Sequence, residues 1–146
     1  MSYQHILLAV DDSPISYAAV EHTLGLAKLS QSRVTIVSVV SVDPFVGVDF
    51  YQIAPAVTDY FMQAEQSAKL RLEDITQSFI RDGIEVQSKI YHGEAAAGIL
   101  FVADEVAVDL IVMGSHGRTG MKKFLLGSVA QAILTQSHIP VLTIKQ

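Results

Sequence analysis

The sequence LIVMGSHGRTGMKKFLLGSV, from Leu110 to Val129, decides the fold and the candidate site. It begins as an apolar run and then contains Gly114, Gly117, Gly120 and Gly127. A buried strand that leads into a loop and then into a helix has this pattern. Because glycine adopts backbone conformations closed to other residues, closely spaced glycines can turn main-chain amides toward a bound anion. The stretch therefore predicts a phosphate-binding loop between a strand and a helix.

Length and charge restrict the class of protein. The chain has 146 residues, enough for a buried core, and we expect a single domain over residues 1–146. Its formal net charge of -5 at pH 7 argues against broad electrostatic binding to nucleic acid or to an anionic membrane. The sequence has no cysteine, no signal-type amino end, and no apolar run of the roughly 20 residues that span a bilayer. We expect a cytoplasmic protein without nucleic-acid or membrane partners.

Apolar runs that are typical of strands alternate with helix-forming segments along the chain. Some runs are apolar or β-branched throughout, which favours strands buried on both faces, and one alternates with period two, which favours a strand at or near the sheet edge. Strict alternation of strand and helix predicts a parallel sheet with helices on both faces. We predict strands over His5–Val10, Arg33–Val42, Ile84–Tyr91 (the alternating run), Asp109–Gly114 and Pro140–Ile144, and helices over Pro14 to about Leu29, Val57–Arg81, Ala95–Val106 and from Gly127 to about Gln136.

Three local features lead to further predictions. Ser13 before Pro14 is typical of a helix start, because the serine can cap free amides and proline suits the first helical position. His22 falls on the apolar side of the first helix, so we expect a packed or boundary histidine. Residues 43–56 lack a clean period of either kind, so we expect a surface loop or a short irregular helix.

Several common functional signatures are absent from the sequence. The glycine stretch matches neither G-x-x-x-x-G-K-[ST] nor G-x-G-x-x-G. There is no G-x-S-x-G motif, and nothing in the sequence joins a Ser, a His and an Asp into a triad, so we predict no catalytic residue. Without cysteine, and without close histidine spacing, we also predict no structural metal site. The histidines are His5, His22, His92, His116 and His138.

The glycine spacing that remains is Gly114-x2-Gly117-x9-Gly127-Ser128, and with it the chain resembles the universal stress protein family, in its ATP-binding branch. The resemblance covers the whole length, with HILLAVDDS at the start, VMGSHGRTG and LLGSVAQAIL around the loop, and IPVLTIK at the end. It implies a doubly wound, Rossmann-like open sheet of five parallel strands in the order 3-2-1-4-5. ATP would bind where the strand order reverses, and it could bring a Mg²⁺ or Mn²⁺ ion.

The resemblance also implies roles for individual residues. Asp11 would contact the ribose or the adenine edge, although it could instead serve as a turn or capping group. Ala9 stands where many ATP-binding members have proline. Arg118, Lys122 and Lys123 could neutralise phosphate charge or form a solvated loop face. The implied ATP-binding residues are Ala9, Asp11 and Val39, then Met113, Gly114, His116, Gly117 and Arg118, and finally Gly127, Ser128 and Val129, with the phosphates held from His116 onward.

Together, these features predict a homodimeric ATP-binding stress protein in which nucleotide occupancy is a signal or a stabiliser. Hydrolysis or self-phosphorylation would be slow at most, with Ser115, Thr119 and Ser128 as candidate acceptors. The resemblance implies a dimer through the last strand, Val141–Ile144, which is an edge in the implied strand order; the alternative is an open edge that Lys145 protects from pairing. Two alternatives stay open: a nucleotide-using enzyme that transfers adenylyl or phosphoryl groups, and a structural dimer that binds no nucleotide.

Overall fold

The computed structural model describes residues 2–41, 50–116 and 126–145. Strands and helices alternate along these residues, as predicted. None of the helices in these ranges is both long enough and apolar enough to cross a membrane. The elements are β1 (His5–Val10), α1 (Pro14–Ser30), β2 (Arg33–Val40), α2 (Phe50–Arg81), β3 (Val86–His92), α3 (Ala95–Glu105), β4 (Leu110–Gly114), α4 (Ser128–Gln136) and β5 (Val141–Ile144).

The five strands form one parallel sheet in the order β3-β2-β1-β4-β5, so the predicted fold class is confirmed. In the middle of the sheet, Leu7 of β1 lies opposite Thr35 of β2 on one side and Ile111 of β4 on the other. From β1 the chain proceeds to β2 and β3 on one side, and it then crosses to β4 and β5 on the other side. The carboxyl ends of β1 and β4 therefore flank the point at which the strand order reverses, where ligands bind in such sheets.

Two apolar cores cover the two faces of the sheet. Because successive strand residues point to opposite faces, Leu8 packs with α1 and α2 while Leu7 packs with α3 and α4. Phe79 of α2 is fully buried in the first core, and Ile133 of α4 is fully buried in the second. β3 is an edge strand whose side chains are half-buried or exposed, which confirms the interpretation of its alternating sequence.

The largest difference from the predicted elements is the start of α2. The helix begins at Phe50, so the prediction of a loop or a short irregular helix was wrong for residues 50–56, while residues 43–49 lie outside the described part. Aromatic residues and Pro55 disfavour a helical interpretation of the sequence, but propensity is a weak signal once a long helix has nucleated. β2 ends at Val40 and β3 begins at Val86, each about two residues inside the predicted bounds.

Two predictions for α1 were wrong in detail. His22 is exposed rather than packed, because the helix buries the face that carries Ala19 and Thr23. Ser13 occupies the N-cap position as predicted, but its side chain makes no capping hydrogen bond. The Ser13 hydroxyl donates to the carboxylate of Asp11 instead. The serine therefore fixes the turn before the helix rather than the helix amides.

Candidate functional site

A cleft of about 530 Å³ opens at the carboxyl ends of β1, β2 and β4. This volume is in the range of small-molecule sites. Gly117 and Arg118 lie outside the described residues, as do Thr119, Gly120, Lys122 and Lys123, so their predicted roles stay predictions. The other implied ATP-binding residues all line the cleft: Ala9, Asp11, Val39, Met113, Gly114, His116, Gly127, Ser128 and Val129.

The Asp11 carboxylate is held in a tight turn directly after β1. Its Oδ1 accepts hydrogen bonds from the Ser13 amide at 2.9 Å, from the Ser13 hydroxyl, and from the Ser16 hydroxyl at 2.9 Å. The Ser16 hydroxyl also accepts from the Asp11 amide at 2.9 Å. Asp11 therefore serves as a turn group, which is one of the two roles considered for it. None of these bonds uses Oδ2, and Asp11 is one of the residues that line the cleft.

One wall of the cleft is apolar and belongs to the core on the α3 and α4 side. Ala9, Val39 and Met113 come from three adjacent strands, and all three pack with that core. Ile99 of α3 and Val129 of α4 extend the same surface. Three neighbouring parallel strands thus present small and medium side chains at one end of the sheet, a surface suited to a flat apolar ring.

The amino end of α4 also lines the cleft, through Gly127, Ser128, Val129 and Ala130. Gly127 is its N-cap, in extended conformation with φ -65° and ψ 158°, and no side chain caps the helix. The first intrahelical bond runs from the Gln131 amide to the Gly127 carbonyl at 3.0 Å. The amides of Ser128, Val129 and Ala130 precede that bond, so they have no carbonyl partner within the helix. The positive end of the helix dipole and these donors favour an anion here.

Ser115 joins the end of β4 to the neighbouring elements through its main chain. Its amide donates to the Ile144 carbonyl at 2.8 Å, and its carbonyl accepts from the Gly127 amide at 2.7 Å. The side chain is buried, and its hydroxyl lies 3.4 Å from Nδ1 of His116. Sequence reasoning treated Ser115 only as a phosphate acceptor, whereas the structure gives it the role of positioning the α4 amino end.

Gly114 is required by packing against α1. A Cβ at this position would lie 2.6 Å from Cγ2 and 3.2 Å from Cγ1 of Ile15. Ile15 is in the first turn of α1 and is 1% exposed. The absence of a side chain at Gly114 therefore lets the start of α1, with Ser16, approach the end of β4 and the Asp11 turn.

Sequence reasoning missed the wall that α2 contributes. Arg71 of this helix lines the cleft, and its Nη1 lies 3.5 Å from the Ser38 hydroxyl of β2. A signal was present, because Arg71 follows Ala64 by seven residues and Ala68 by three, which places it on the same side of the helix as these small apolar residues. The lining residues from α2 are Tyr60, Gln63, Ala64, Ser67, Ala68 and Arg71. Within the described ranges, no group of three or more His, Asp or Glu side chains is arranged to hold a metal ion.

A doubly wound parallel sheet with a ligand-sized cleft at its switch point defines a Rossmann-like α/β protein. The model of the universal stress protein family matches residues 2–145, and the chain belongs to this family. Universal stress protein MJ0531 of Methanocaldococcus jannaschii is 31% identical over 144 residues, which cover 99% of this chain and 83% of that protein.

Solved structures show the same fold. The structure of protein MJ0577 of Methanocaldococcus jannaschii has a TM-score of 0.85 at 27% identity and covers 100% of this chain and 98% of its own. The universal stress protein from Archaeoglobus fulgidus, solved in complex with dAMP, has a TM-score of 0.70 at 22% identity. That match covers 99% of this chain and 100% of the other, and it shows likeness of fold.

Proposed function

We propose that the chain is an ATP-binding stress protein whose occupancy by nucleotide acts as a regulatory signal in a cytoplasmic homodimer. The observation that carries the proposal is the arrangement of the cleft, where an apolar wall, a fixed carboxylate and an uncapped helix amino end face one volume of about 530 Å³. These are the three surfaces that a base, a ribose and a phosphate chain require. The dAMP complex of the Archaeoglobus fulgidus protein supports adenine as the base.

Each part of the nucleotide has a complementary surface in this proposal. The adenine ring packs on Ala9, Val39 and Met113. Oδ2 of Asp11 accepts from the ribose hydroxyls, while Oδ1 holds the turn. The phosphates accept from the first amides of α4 and from the Ser128 hydroxyl. Gly117 and Arg118 remain predicted phosphate contacts, and a Mg²⁺ or Mn²⁺ ion would be held mainly by phosphate and water.

The cleft favours binding over rapid turnover. Phosphoryl transfer requires a positioned nucleophile in addition to charge neutralisation. The Ser115 hydroxyl and the His116 ring are 3.4 Å apart, longer than a working nucleophile and base pair, and Ser115 is buried. Of the candidate acceptors in the described ranges, Ser128 is the exposed one. The proposal therefore includes slow hydrolysis or self-phosphorylation at most.

The proposed dimer forms through β5, which is an edge strand of the sheet. The carbonyls of Pro140 and Ile144 accept bonds from the β4 side. Since peptide groups in a parallel strand alternate in direction, Val141 and Thr143 direct their amides and carbonyls away from β4. These groups could pair with the same strand of a second copy.

Incubation of the purified chain with labelled ATP and a range of acceptors tests the function class. The proposal predicts bound ATP in stoichiometric amount with little product. Several turnovers per minute would instead identify a nucleotide-using enzyme, and the absence of bound nucleotide would leave only a structural dimer. Either of these outcomes overturns the proposal.

Two variants of Ser128 test whether the α4 amides hold the phosphates. Ser128 is the first helical residue, where proline is well accommodated, and Gly127 already has the extended backbone that precedes proline. Ser128→Ala removes the hydroxyl alone, whereas Ser128→Pro also removes one amide donor. A hydrogen bond to a charged group contributes about 1.5–3 kcal/mol, so ATP should bind at least roughly tenfold more weakly to Ser128→Pro than to Ser128→Ala. Equal affinities at unchanged thermal stability would contradict the assignment.

A further inference from the structure

The cleft continues onto the second face of the sheet, away from the apolar wall. Val39 packs with the core under α3 and α4, so its neighbour Ser38 lies on the opposite face, under α1 and α2. The cleft is lined by residues from both faces at the ends of β1 and β2. The half on the α1 and α2 side is not needed for the adenine, ribose and phosphate contacts described above.

This half of the cleft has apolar side chains such as Ala64 and Ala68, and it also has a polar group of residues with one guanidinium. We call this group the Arg71 subsite and define it by Ser38, Gln63, Ser67 and Arg71, all of which line the cleft. Ser38 is buried, Arg71 is half-buried, and Gln63 and Ser67 are exposed. The subsite thus offers two hydroxyls, an amide and a guanidinium, a set that is rich in hydrogen-bond donors.

Arg71 has no carboxylate partner among the residues that the structure describes. Its hydrogen bond is to the neutral Ser38 hydroxyl at 3.5 Å, the long end of the range. An arginine keeps its charge at all accessible pH values, and a partly buried charge without a counter-charge is costly. Among the described residues that line the cleft, Arg71 is the only one with a permanently cationic side chain. A guanidinium in a concave surface with free donors is suited to a bidentate oxyanion.

We propose that the Arg71 subsite binds the anionic group of a small molecule, a carboxylate or a phosphate, as a site separate from the amino end of α4. Ser38 is on β2 and α4 adjoins β4, so the two anion sites are separated by β1, or roughly 10 Å at the usual strand spacing. They also lie on opposite faces of the sheet, because α4 packs with the other core. One phosphate group cannot contact both. The inference does not depend on ATP binding at α4.

Residue-resolved NMR with inorganic phosphate as the probe, at constant ionic strength, tests the proposal. Amides around Ser38, Ser67 and Arg71 should shift in a saturable way, separately from those of residues 128–130. In Arg71→Gln, the phosphate affinity measured from the first set of shifts should fall at least roughly tenfold, because the variant loses a charge-assisted hydrogen bond. The affinity measured from the second set should be unchanged. Arg81→Gln, in the last turn of the same helix, is the matched control and should leave both sets unchanged.

A second variant protects the test against a folding defect in Arg71→Gln. Ser67 is exposed and lies one helical turn before Arg71, so Ser67→Asp places a carboxylate at i, i+4 spacing and should block phosphate by pairing with the guanidinium. Acetate in place of phosphate distinguishes the two classes of ligand. A carboxylate site should bind both anions, whereas a phosphate site should bind phosphate but not acetate. The proposal is overturned if amides around Ser38 and Ser67 do not respond to millimolar phosphate or acetate, or if their response survives both variants. Failure of ATP to shift residues 128–130 would instead contradict the proposed function alone.

Discussion

A single added methyl group at Gly114 tests how packing controls the cleft. In Gly114→Ala the new Cβ would lie 2.6 Å from Cγ2 of Ile15, so either Ile15 or the end of β4 must move. Ile15 is 1% exposed, so its side chain is packed against its neighbours. Overpacking of this kind lowers the free energy of unfolding by about 1–3 kcal/mol. Replacing a strand glycine by alanine raises it by about 0.5–1 kcal/mol, because the unfolded chain loses conformational freedom. We expect the free energy of unfolding to fall by about 1 kcal/mol, the difference between the midpoints of these two ranges.

The displacement should also reach the site. Ile15 directly precedes Ser16, whose hydroxyl bonds to Oδ1 of Asp11 at 2.9 Å. A shift of the first turn of α1 therefore loosens the Asp11 turn. Because this turn fixes the proposed ribose acceptor, we expect ATP affinity to fall by roughly tenfold, the effect of one hydrogen bond.

Urea unfolding and ATP titration of the same variants measure both effects. Gly25→Ala is the matched control, because a Cβ at Gly25 in α1 meets nothing within 4 Å. It should raise the unfolding free energy by up to about 1 kcal/mol and leave ATP affinity unchanged. Ile15→Ala removes both clashing atoms. The double variant should therefore lose about 1 kcal/mol less unfolding free energy than the sum of the losses in the two single variants. Additive costs, or a Gly114→Ala variant as stable as the wild type, would contradict the expected clash with Ile15.

Two more predictions concern the opposite end and the edge of the sheet. Burial, and then the charge of Arg33, lower the pKa of His5 below its ordinary value of 6.5, so the unfolded chain binds more protons and stability should decrease as the pH falls below 6.5. In chemical unfolding at pH 7 and pH 5, His5→Gln should reduce this loss whereas the exposed His138→Gln should not, and equal losses would show that His5 is not responsible. Thr143→Pro removes an outward-facing amide of β5 and should yield a folded monomer in size-exclusion chromatography with light scattering, while Thr143→Val keeps the amide and should remain a dimer. A dimer in Thr143→Pro would place the interface elsewhere.

Local sequence predicted the elements where one effect dominates. All six residues of β1 are buried, and the bounds predicted from the sequence, His5–Val10, are the bounds of the strand in the structure. The helix start at Pro14 follows from proline geometry alone. The strand order came from the family resemblance, because hydrophobic periodicity does not specify which strands are neighbours.

Features that depend on long-range packing could not be predicted in this way. The contact of Arg71 with Ser38 requires α2 to cross the end of β2, which neither segment encodes by itself. The clash that makes Gly114 necessary involves Ile15, about a hundred residues earlier in the chain. For Asp11 the sequence offered a turn or a ligand contact as alternatives, and the geometry makes them compatible, since the turn uses only Oδ1.

The proposed function requires that the cleft between β1, β2 and β4 bind an adenine nucleotide. Titration calorimetry of ATP into the dialysed wild-type chain measures this binding. We expect saturable binding of one ATP per chain, with AMP as a competitor because both carry the adenine and ribose for which contacts are proposed. The absence of saturable heat at millimolar ATP, with the protein folded, would contradict the proposed function.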